Sequence, residues 1–317
     1  MLKKATVWAD AGHVVAADQF ALNTPAKESD STTHTGSPLR AYEDNRESLY
    51  VSGDGFSVSF NKANGRMQSL RYNNNEMIHG QNGFYLNTYR SIDNDPREFV
   101  EPVNSLKDFN WTRNDNNTVT VTTVIETIVG KDTIPHQVVY TINPDGIIDV
   151  DAAFTVNDNF SQPRLSLESF LAPELEKVEW FGHGPFENAP DRKNAAFVGK
   201  YTNNVSDMGE PYVRAQSMGQ RCDARYIKIT DQKGNKGILI TPTSPVHFST
   251  LHHTDADLRK VKYGHDLPGV KRAETVLNLD CQYRGLGNAS CGPRPRPQYE
   301  IPTDTTHTYS FSISPVK

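Results

Sequence analysis

Polar and apolar residues alternate in several stretches of this 317-residue chain, and this period of two is the strongest constraint on its fold. Successive side chains of an extended strand point to opposite faces, so each stretch predicts a strand with one buried face. The sequence therefore predicts an all-β fold, a large antiparallel β-sandwich. The clearest alternating segments are residues 56–60, 119–121, 138–142, 148–152 and 309–313.

Turn and helix signals lie between the alternating segments. Asn64-Gly65 predicts a hairpin whose two central residues both take positive φ. Asn143-Pro144-Asp145-Gly146 predicts a turn, because Pro presets its own φ and Gly accepts the left-handed conformation. Thr254, followed three residues later by Asp257, predicts the N-cap of one short helix.

Composition changes along the chain predict three segments. Residues 1–22 are a short apolar-rich piece, and residues 23–46 have the polar, Thr-, Ser- and Pro-containing character of a linker. Residues 47–317 contain strand after strand and are predicted to form one large β-domain. A short piece such as 1–22 would leave an apolar face exposed, which suggests a truncated chain or docking against a partner.

Charge, hydropathy and cysteine content exclude several classes of protein. The formal net charge is -5, which disfavours a nucleic-acid partner because such proteins present a basic face. The chain lacks both an apolar signal-peptide core and a run of about 18 apolar residues, so we expect no membrane span and a cytoplasmic location. Export of a longer parent stays open. Cys222, Cys281 and Cys291 lack metal-site spacing and are interpreted as reduced thiols, although a disulfide stays open.

One candidate binding loop is Asp93-Asn94-Asp95. Three short polar side chains in a row can hydrogen-bond the hydroxyl groups of a sugar. The alternative is an Asx-turn network that only shapes the loop. A calcium site is disfavoured because Arg97 stands where an acidic ligand would be needed.

A second candidate is the run from Trp180 to Arg192, which contains Gly184-Pro185 and three charged residues. The Gly-Pro pair predicts a sharp bend. An ion pair of Arg192 with Glu187 or Asp191 is favoured over a role in binding ligand. A third stretch, residues 280–293, contains Gly285-Leu286-Gly287, which predicts a loop.

Two further patterns predict no site. His252 and His253 are adjacent, so in a strand they point to opposite faces and cannot chelate one metal ion. Neither a metal-ligand motif nor the nucleophile elbow of serine hydrolases occurs, and we expect no cofactor in this chain.

These stretches, in this order, resemble the C-terminal region of family 2 β-galactosidases. The most specific piece is the run Gly184-Pro185-x-Glu187-Asn188-x-Pro190-Asp191-Arg192. The resemblance also rests on 6–13, on Asp93-Asn94-Asp95, on 211–221 and on 280–292, so it covers nearly the whole chain except the linker.

The resemblance implies a fold, a role and a partner. Residues 1–22 would be the terminal strands of an immunoglobulin-like domain, and residues 47–317 would be a supersandwich of the galactose-mutarotase-like type. The catalytic glutamates and the Mg and Na ligands would lie in a barrel that this chain lacks, so it would be a non-catalytic region or small subunit. Its partners would be the barrel-bearing subunit and a galactoside such as lactose. The sequence leaves the oligomeric state undefined, and a homo-oligomer is compatible with it.

The resemblance also implies which residues serve the site. Loops of this domain would form part of the active-site rim. An aromatic sugar platform is not expected, because its place falls near Cys291-Gly292. The implied rim residues are Asp93, Asn94, Asp95, Asn288, Ser290 and Cys291, and the motif residues expected to be structural are Gly184, Pro185, Glu187, Asn188, Asp191 and Arg192.

Two alternative functions belong to other classes. A stand-alone carbohydrate-binding module would need an exposed aromatic ring to stack on a sugar, and Trp111, Trp180 and Tyr283 are the candidates. A mutarotase-like epimerase would need an acid and a base in one cleft, for which His183 and Glu187 are the closest pair in the sequence.

Overall fold

The computed structural model describes residues 1–22, 34–44, 47–92, 95, 98–288 and 292–316. The chain divides into two compact units, Met1–Thr33 and His34–Lys317. The second unit contains the β-domain and all the strands described below.

Nineteen strands lie in the described part of the second unit. They are β1 (Arg40–Asp44), β2 (Ser48–Gly53), β3 (Phe56–Asn61), β4 (Met67–Tyr72), β5 (Asn75–Glu76), β6 (Tyr85–Asn87), β7 (Val103–Arg113), β8 (Val119–Val129), β9 (Asp132–Ile142), β10 (Ile148–Val156), β11 (Arg164–Leu171), β12 (Lys177–Gly184), β13 (Phe197–Asn204), β14 (Arg221–Ala224), β15 (Tyr226–Thr230), β16 (Gly237–Pro242), β17 (Val246–Leu251), β18 (Thr275–Tyr283) and β19 (Thr305–Pro315). The helices are α1 (Asp255–Lys260) and the 3₁₀ turns Val205–Asp207, Gly264–Val270 and Pro297–Tyr299.

The strands form three antiparallel sheets. The N-terminal sheet has the order β1-β2-β3-β4-β5, and the nine-stranded sheet has the order β13-β12-β15-β16-β19-β10-β9-β8-β7. The third, which we call the β18 sheet, has the order β14-β17-β18-β11-β6. This arrangement confirms the predicted all-β antiparallel sandwich.

The core lies between the nine-stranded sheet and the two five-stranded sheets. Phe60 of β3 contacts Tyr140 of β9 with ring centroids 5.0 Å apart, and Trp180 of β12 contacts Phe248 of β17 at 6.0 Å. The Tyr309 hydroxyl of β19 donates to the Leu279 carbonyl of β18 at 3.1 Å. Because β8, β9 and β10 alternate buried and less buried residues, their predicted period of two is confirmed.

The β18 sheet is different because both of its faces are covered at β11, where all eight residues are buried. Leu165 and Leu167 join the apolar core. Ser166 and Glu168 alternate with these leucines, so they face the other way, and both are polar. In the register, Ser166 pairs with Asp280 and Glu168 with Asn278 of β18, so this second face is a buried polar face.

The predicted turns and helix are present, with one difference. Gly146 has φ +83° and its N–H donates to the Asn143 carbonyl at 3.0 Å. The Thr254 side chain caps α1 in a complete capping box with Asp257. The turn between β3 and β4 is longer than a two-residue hairpin, and only Gly65 of the Asn64-Gly65 pair takes positive φ. The Asn64 side chain instead accepts a hydrogen bond from the Arg66 N–H.

The segment boundaries differ from the predicted ones at two places. Residues 1–22 form turns without a strand, held by the Gly12 N–H to the Leu2 carbonyl and the Leu2 N–H to the His13 carbonyl. The expected terminal strands are therefore not formed, and the immunoglobulin-like origin of this piece stays a prediction. The linker region 23–46 contains strand β1, which pairs with β2, while residues 23–33 lie outside the described part.

His136 of β9 is a titratable group within this core. It is buried beside Phe154, and burial lowers the pKa of its imidazole to about 4 from the usual 6.5. A histidine whose pKa is depressed in the folded state stabilises the fold fully above the unfolded pKa and loses that contribution on acidification. We predict that the free energy of unfolding falls by up to about 3 kcal/mol between pH 6.5 and pH 4 from this group.

Urea unfolding across this pH range tests the prediction. The His136→Gln variant should show a smaller loss of stability on acidification than the unmodified chain. The matched control is His265→Gln, at a side chain that is 77% exposed. Equal losses in the unmodified chain and in His136→Gln would contradict the assignment.

Candidate functional site

A buried ionic cluster lies on the polar face of the β18 sheet. The Arg164 guanidinium donates to Asp280 at 2.8 Å and to Asp255 at 2.7 Å, and all three side chains are nearly or fully buried. Gln220 donates to the second Asp280 oxygen at 2.7 Å. Asp255 is the first residue of α1, so this cluster attaches the helix to the sheet.

A second cluster joins the loop after β6 to the end of β18. The Arg90 guanidinium donates to both Asp95 oxygens, at 2.5 and 3.0 Å, and Arg284 donates to the same carboxylate. Arg90 also donates to the carbonyls of Arg284 and Gly285. The Tyr283 ring lies against this cluster, with the Arg90 guanidinium carbon 4.6 Å from the ring centroid.

The Arg164 cluster and the Arg90 cluster are linked through Tyr283 and Ser217. Arg164 lies 5.3 Å from the same Tyr283 ring centroid. The Ser217 hydroxyl accepts from the Ser91 N–H and donates to Asp255. Burial raises the pKa of the Asp255 carboxyl, while Arg164 opposes the shift. These paired charges are therefore one structural unit, which we call the Tyr283 network.

The predicted rim residues fall into three groups. Asp93, Asn94, Ser290 and Cys291 lie outside the described residues. Asp95 is 6% exposed and both of its carboxylate oxygens are occupied by arginines, so its place is in the Tyr283 network. Asn288 is exposed, and its N–H donates to the Pro293 carbonyl at 3.2 Å. The Arg90 contacts to Arg284 and Gly285 bring the bases of the two predicted loops together.

The charged residues of the 184–192 motif hold neighbouring segments. Glu187 accepts from Arg192 at 2.5 Å, from the Tyr212 hydroxyl and from the Gly219 N–H at 2.9 Å. The predicted ion pair of Arg192 with a carboxylate is therefore confirmed. Asp191 has a different contact, because its two oxygens accept from the N–H groups of Leu286 and Gly287 at 2.9 and 2.8 Å.

The remaining motif residues shape the bend. The Asn188 side chain accepts from the Cys222 N–H at 2.9 Å, and the Pro185 carbonyl accepts from Arg221 at 3.0 Å. A side chain at Gly184 would collide with the rings of Tyr201 and Trp180. The motif thus ties the loop after β12 to β14 and to the Gly285–Gly287 segment.

The pairing required by the epimerase alternative is not formed. The His183 Nε2 contacts Asp223 at 3.2 Å, and the His183 Nδ1–H donates to the Ala196 carbonyl. Glu187 is engaged by Arg192, Tyr212 and Gly219 as described above. Within the described part of the chain, these two side chains have separate partners, so no contact between them supports the acid–base pair, which stays a prediction.

The other predicted candidates are structural. Trp180 and Tyr283 are buried, and the Trp111 indole N–H donates to Glu43 at 2.6 Å. His252 contacts Glu176 at 2.7 Å and His253 contacts the Leu267 carbonyl at 3.0 Å, as expected for hydrogen-bonded histidines. Among the residues that the structure describes, no group of three acidic, histidine or cysteine side chains is placed to hold a metal ion.

The two described cysteines are free thiols. Cys222 is buried and Cys281 partly so. Burial raises the pKa of the Cys281 thiol to about 12 and that of Cys222 further, so both stay protonated and unreactive.

Sequence reasoning missed Arg164 and Glu168 of β11. The signal was present, since these charged residues alternate with Leu165 and Leu167 in a strand of otherwise apolar character. Charged residues that face away from an apolar core are usually solvent-exposed, so this pattern alone does not mark a buried site. The structure instead buries both side chains, with Arg164 bound to Asp255 of α1.

Removing one charge from the Tyr283 network should be strongly destabilising. Asp95→Asn keeps the side-chain shape but leaves Arg90 and Arg284 without their carboxylate, and breaking a buried pair in this way costs about 3–5 kcal/mol. Guanidinium unfolding measures the loss. The control is Glu126→Ala at the exposed pair with Lys107, which should change stability by less than about 1 kcal/mol. An Asp95→Asn effect as small as the control's would contradict the assignment.

Comparison with known proteins places this site in a family. Residues 52–313 match the family described as "Beta galactosidase small chain". The β-galactosidase of Priestia megaterium is 25% identical over 99% of this chain, and that of Halalkalibacterium halodurans is 26% identical over 99%. These matches cover 31% and 32% of the relatives, so the chain spans about a third of the length of these curated relatives.

Solved structures that align with this chain include two aldose epimerases. A putative aldose 1-epimerase from Escherichia coli K12 aligns over 87% of this chain and 99% of its own, with a TM-score of 0.48 and 7% identity. Galactose 1-epimerase from Lactobacillus acidophilus NCFM aligns over 88% and 98%, with a TM-score of 0.43 and 7% identity. Nothing about function follows from these similarities. The match over residues 52–313 is what identifies the chain, which belongs to the β-galactosidase small-chain family.

Proposed function

We propose that this chain is the non-catalytic C-terminal region or small subunit of an enzyme that hydrolyses terminal β-D-galactosides such as lactose. Its family and its match to about a third of two β-galactosidases support this role. Retaining hydrolysis needs two carboxylates about 5 Å apart on either side of the bond. In this proposal the barrel-bearing remainder supplies both carboxylates and holds the Mg and Na ions.

The observation that carries the proposal is the joint anchoring of two loops. Arg90 and Asp95 hold the base of one loop, and Arg284 continues directly into the other at Gly285. Asp191 fixes the second loop from its opposite side. Two loops fixed to one rigid sheet would keep a constant separation, which suits residues that shape the aglycone side of a pocket.

Paired charges in the described residues fit a positioning role better than a catalytic one. The Asp280 and Asp255 carboxylates are both bound to Arg164 and are buried. A general acid or a nucleophile must be free to react with the substrate, whereas Arg164 already binds both of these carboxylates. The chemistry is therefore assigned to the barrel.

Hydrolysis of a chromogenic β-galactoside tests whether the catalytic carboxylates lie outside this chain. The purified chain alone should give no turnover, because the reacting carboxylates are absent from it. The barrel-bearing part from the same organism should hydrolyse the substrate efficiently only when this chain is present. Turnover by the chain alone, or no gain when both parts are mixed and shown to associate, would refute the proposal.

The hydrogen bonds between Asp191 and the Gly285–Gly287 loop allow a sharper test within the assembled enzyme. Asp191→Asn weakens the two charge-assisted bonds to Leu286 and Gly287, so we predict a fall in kcat/KM on the order of tenfold as the loop loses its position. The matched control is Asp231→Asn, because Asp231 also accepts from backbone N–H groups, at Asn235 and Lys236, in an unrelated exposed turn. Equal effects of the two variants would contradict a rim role for the Gly285–Gly287 loop.

A further inference from the structure

A cavity of about 480 Å³ lies beside the Tyr283 network but away from the Gly285–Gly287 loop. Strands β6 and β11 form its floor, and α1 and the segment before β7 form its sides. Its volume lies within the range of about 300–1,000 Å³ that is typical of small-molecule sites. Neither the family comparison nor the proposed role uses this cavity.

The floor of the cavity is a fixed polar surface. The Glu168 carboxylate is 5% exposed and accepts from the Tyr85 hydroxyl at 2.5 Å and from Asn87 at 3.2 Å. Asn278 donates to it at 3.2 Å as well. Burial raises the pKa of this carboxyl, and Tyr85 opposes the shift. Because Glu168 fixes Tyr85 and Asn87, the phenol oxygen and the amide of these two residues are held in position before any ligand arrives.

Aromatic rings also line the cavity. Phe99 is 39% exposed at the mouth and packs edge-on against Tyr89, with ring centroids 5.2 Å apart. Deeper in the cavity, Tyr85 and Phe170 pack edge-on at 6.1 Å. An exposed ring next to fixed polar groups suits a ligand with an apolar face and several hydroxyls.

The charges around the cavity balance. Four basic side chains and four acidic side chains line it, so it selects no net charge in a ligand. Several of them already have partners, since Arg272 binds Asp257 and Glu274, and Lys260 binds Asp257 at 2.8 Å. Guanidinium groups donate and carboxylate groups accept hydrogen bonds, so both kinds of group are suited to vicinal hydroxyls. The basic residues are Arg66, Arg259, Lys260 and Arg272, and the acidic ones are Glu101, Glu168, Asp255 and Asp257.

We propose that this cavity binds a neutral mono- or disaccharide, with Phe99 against the sugar ring and the group of Tyr85, Asn87 and Glu168 orienting its hydroxyls. The site is separate from the rim loops, so the proposal goes beyond the role in galactoside hydrolysis. The inference rests on the cavity alone, and only the choice of galactose and lactose as probes rests on the proposed function.

Calorimetric titration of the full chain tests the site. Galactose, lactose and glucose are the probes, and at least one should bind saturably with a Kd on the order of 0.1–10 mM. Phe99→Ala should weaken that binding about tenfold without changing the Tm, since the ring is partly exposed. Glu168→Gln should weaken sugar binding as well. The Gln amide has one accepting oxygen where the carboxylate has two, so it cannot hold Tyr85 and Asn87 through separate oxygens.

The matched control is Phe181→Ala, which removes a ring of similar exposure, 37%, from strand β12 of the nine-stranded sheet. It should leave sugar affinity unchanged. Absence of binding for all three sugars, or binding that survives both cavity variants, would overturn the proposal. So would binding of galacturonate in preference to galactose, because the ligand would then be an anion.

The outcome is independent of the galactosidase test. Sugar binding that depends on Phe99 supports the cavity even if the mixed enzyme shows no turnover. Activity of the mixed enzyme with no sugar binding to the chain supports the role in hydrolysis and refutes the cavity.

Discussion

The arrangement of the β-domain depends on the charged groups buried on one face of the β18 sheet. Desolvating a guanidinium or a carboxylate costs several kcal/mol, which is recovered only when each charge has a partner and hydrogen bonds. Arg164, Asp280 and Asp255 satisfy this in one cluster, and Arg90, Asp95 and Arg284 in another. One contact, from Arg164 Nη2 to Asp280, is ionic at 2.7 Å without hydrogen-bond geometry.

Such a network contributes less to stability than to uniqueness. Well-packed apolar residues of the same volume often stabilise a core as well or better. Charged pairs, in contrast, have one correct arrangement, so the loop at Asp95, the helix α1 and the end of β18 cannot slide without leaving a buried charge alone. We infer that the sequence keeps these charges because the positions of the loops matter, which is consistent with a rim role.

The fold could largely be predicted, because alternation along a strand is a local property. Segments such as Ile148–Val156 carry their own face pattern, and the turn at Gly146 carries its own φ requirement. The site could be predicted only in part. Asp191 and Glu187 were expected to be structural, and the sequence predicted an ion pair with Arg192, which Glu187 forms. Gly287, which binds Asp191, and Tyr212, which binds Glu187, are distant in sequence, and no local pattern specifies such pairs.

Asp95 shows the limit most clearly. In the sequence it is the third of three short polar residues and looks like a ligand-facing group. Its role is decided by Arg284, which lies 189 positions away, and by the burial of both. A perturbed pKa likewise does not by itself identify a functional residue. Burial raises the pKa of Glu168 and of Asp255, as it would for a catalytic acid. Asp255 is bound to Arg164 and Ser217, whereas Glu168 fixes hydrogen-bonding groups that face a cavity. The same upward shift in pKa therefore occurs in two carboxyl groups with different roles. The contacts of each group decide which role it has.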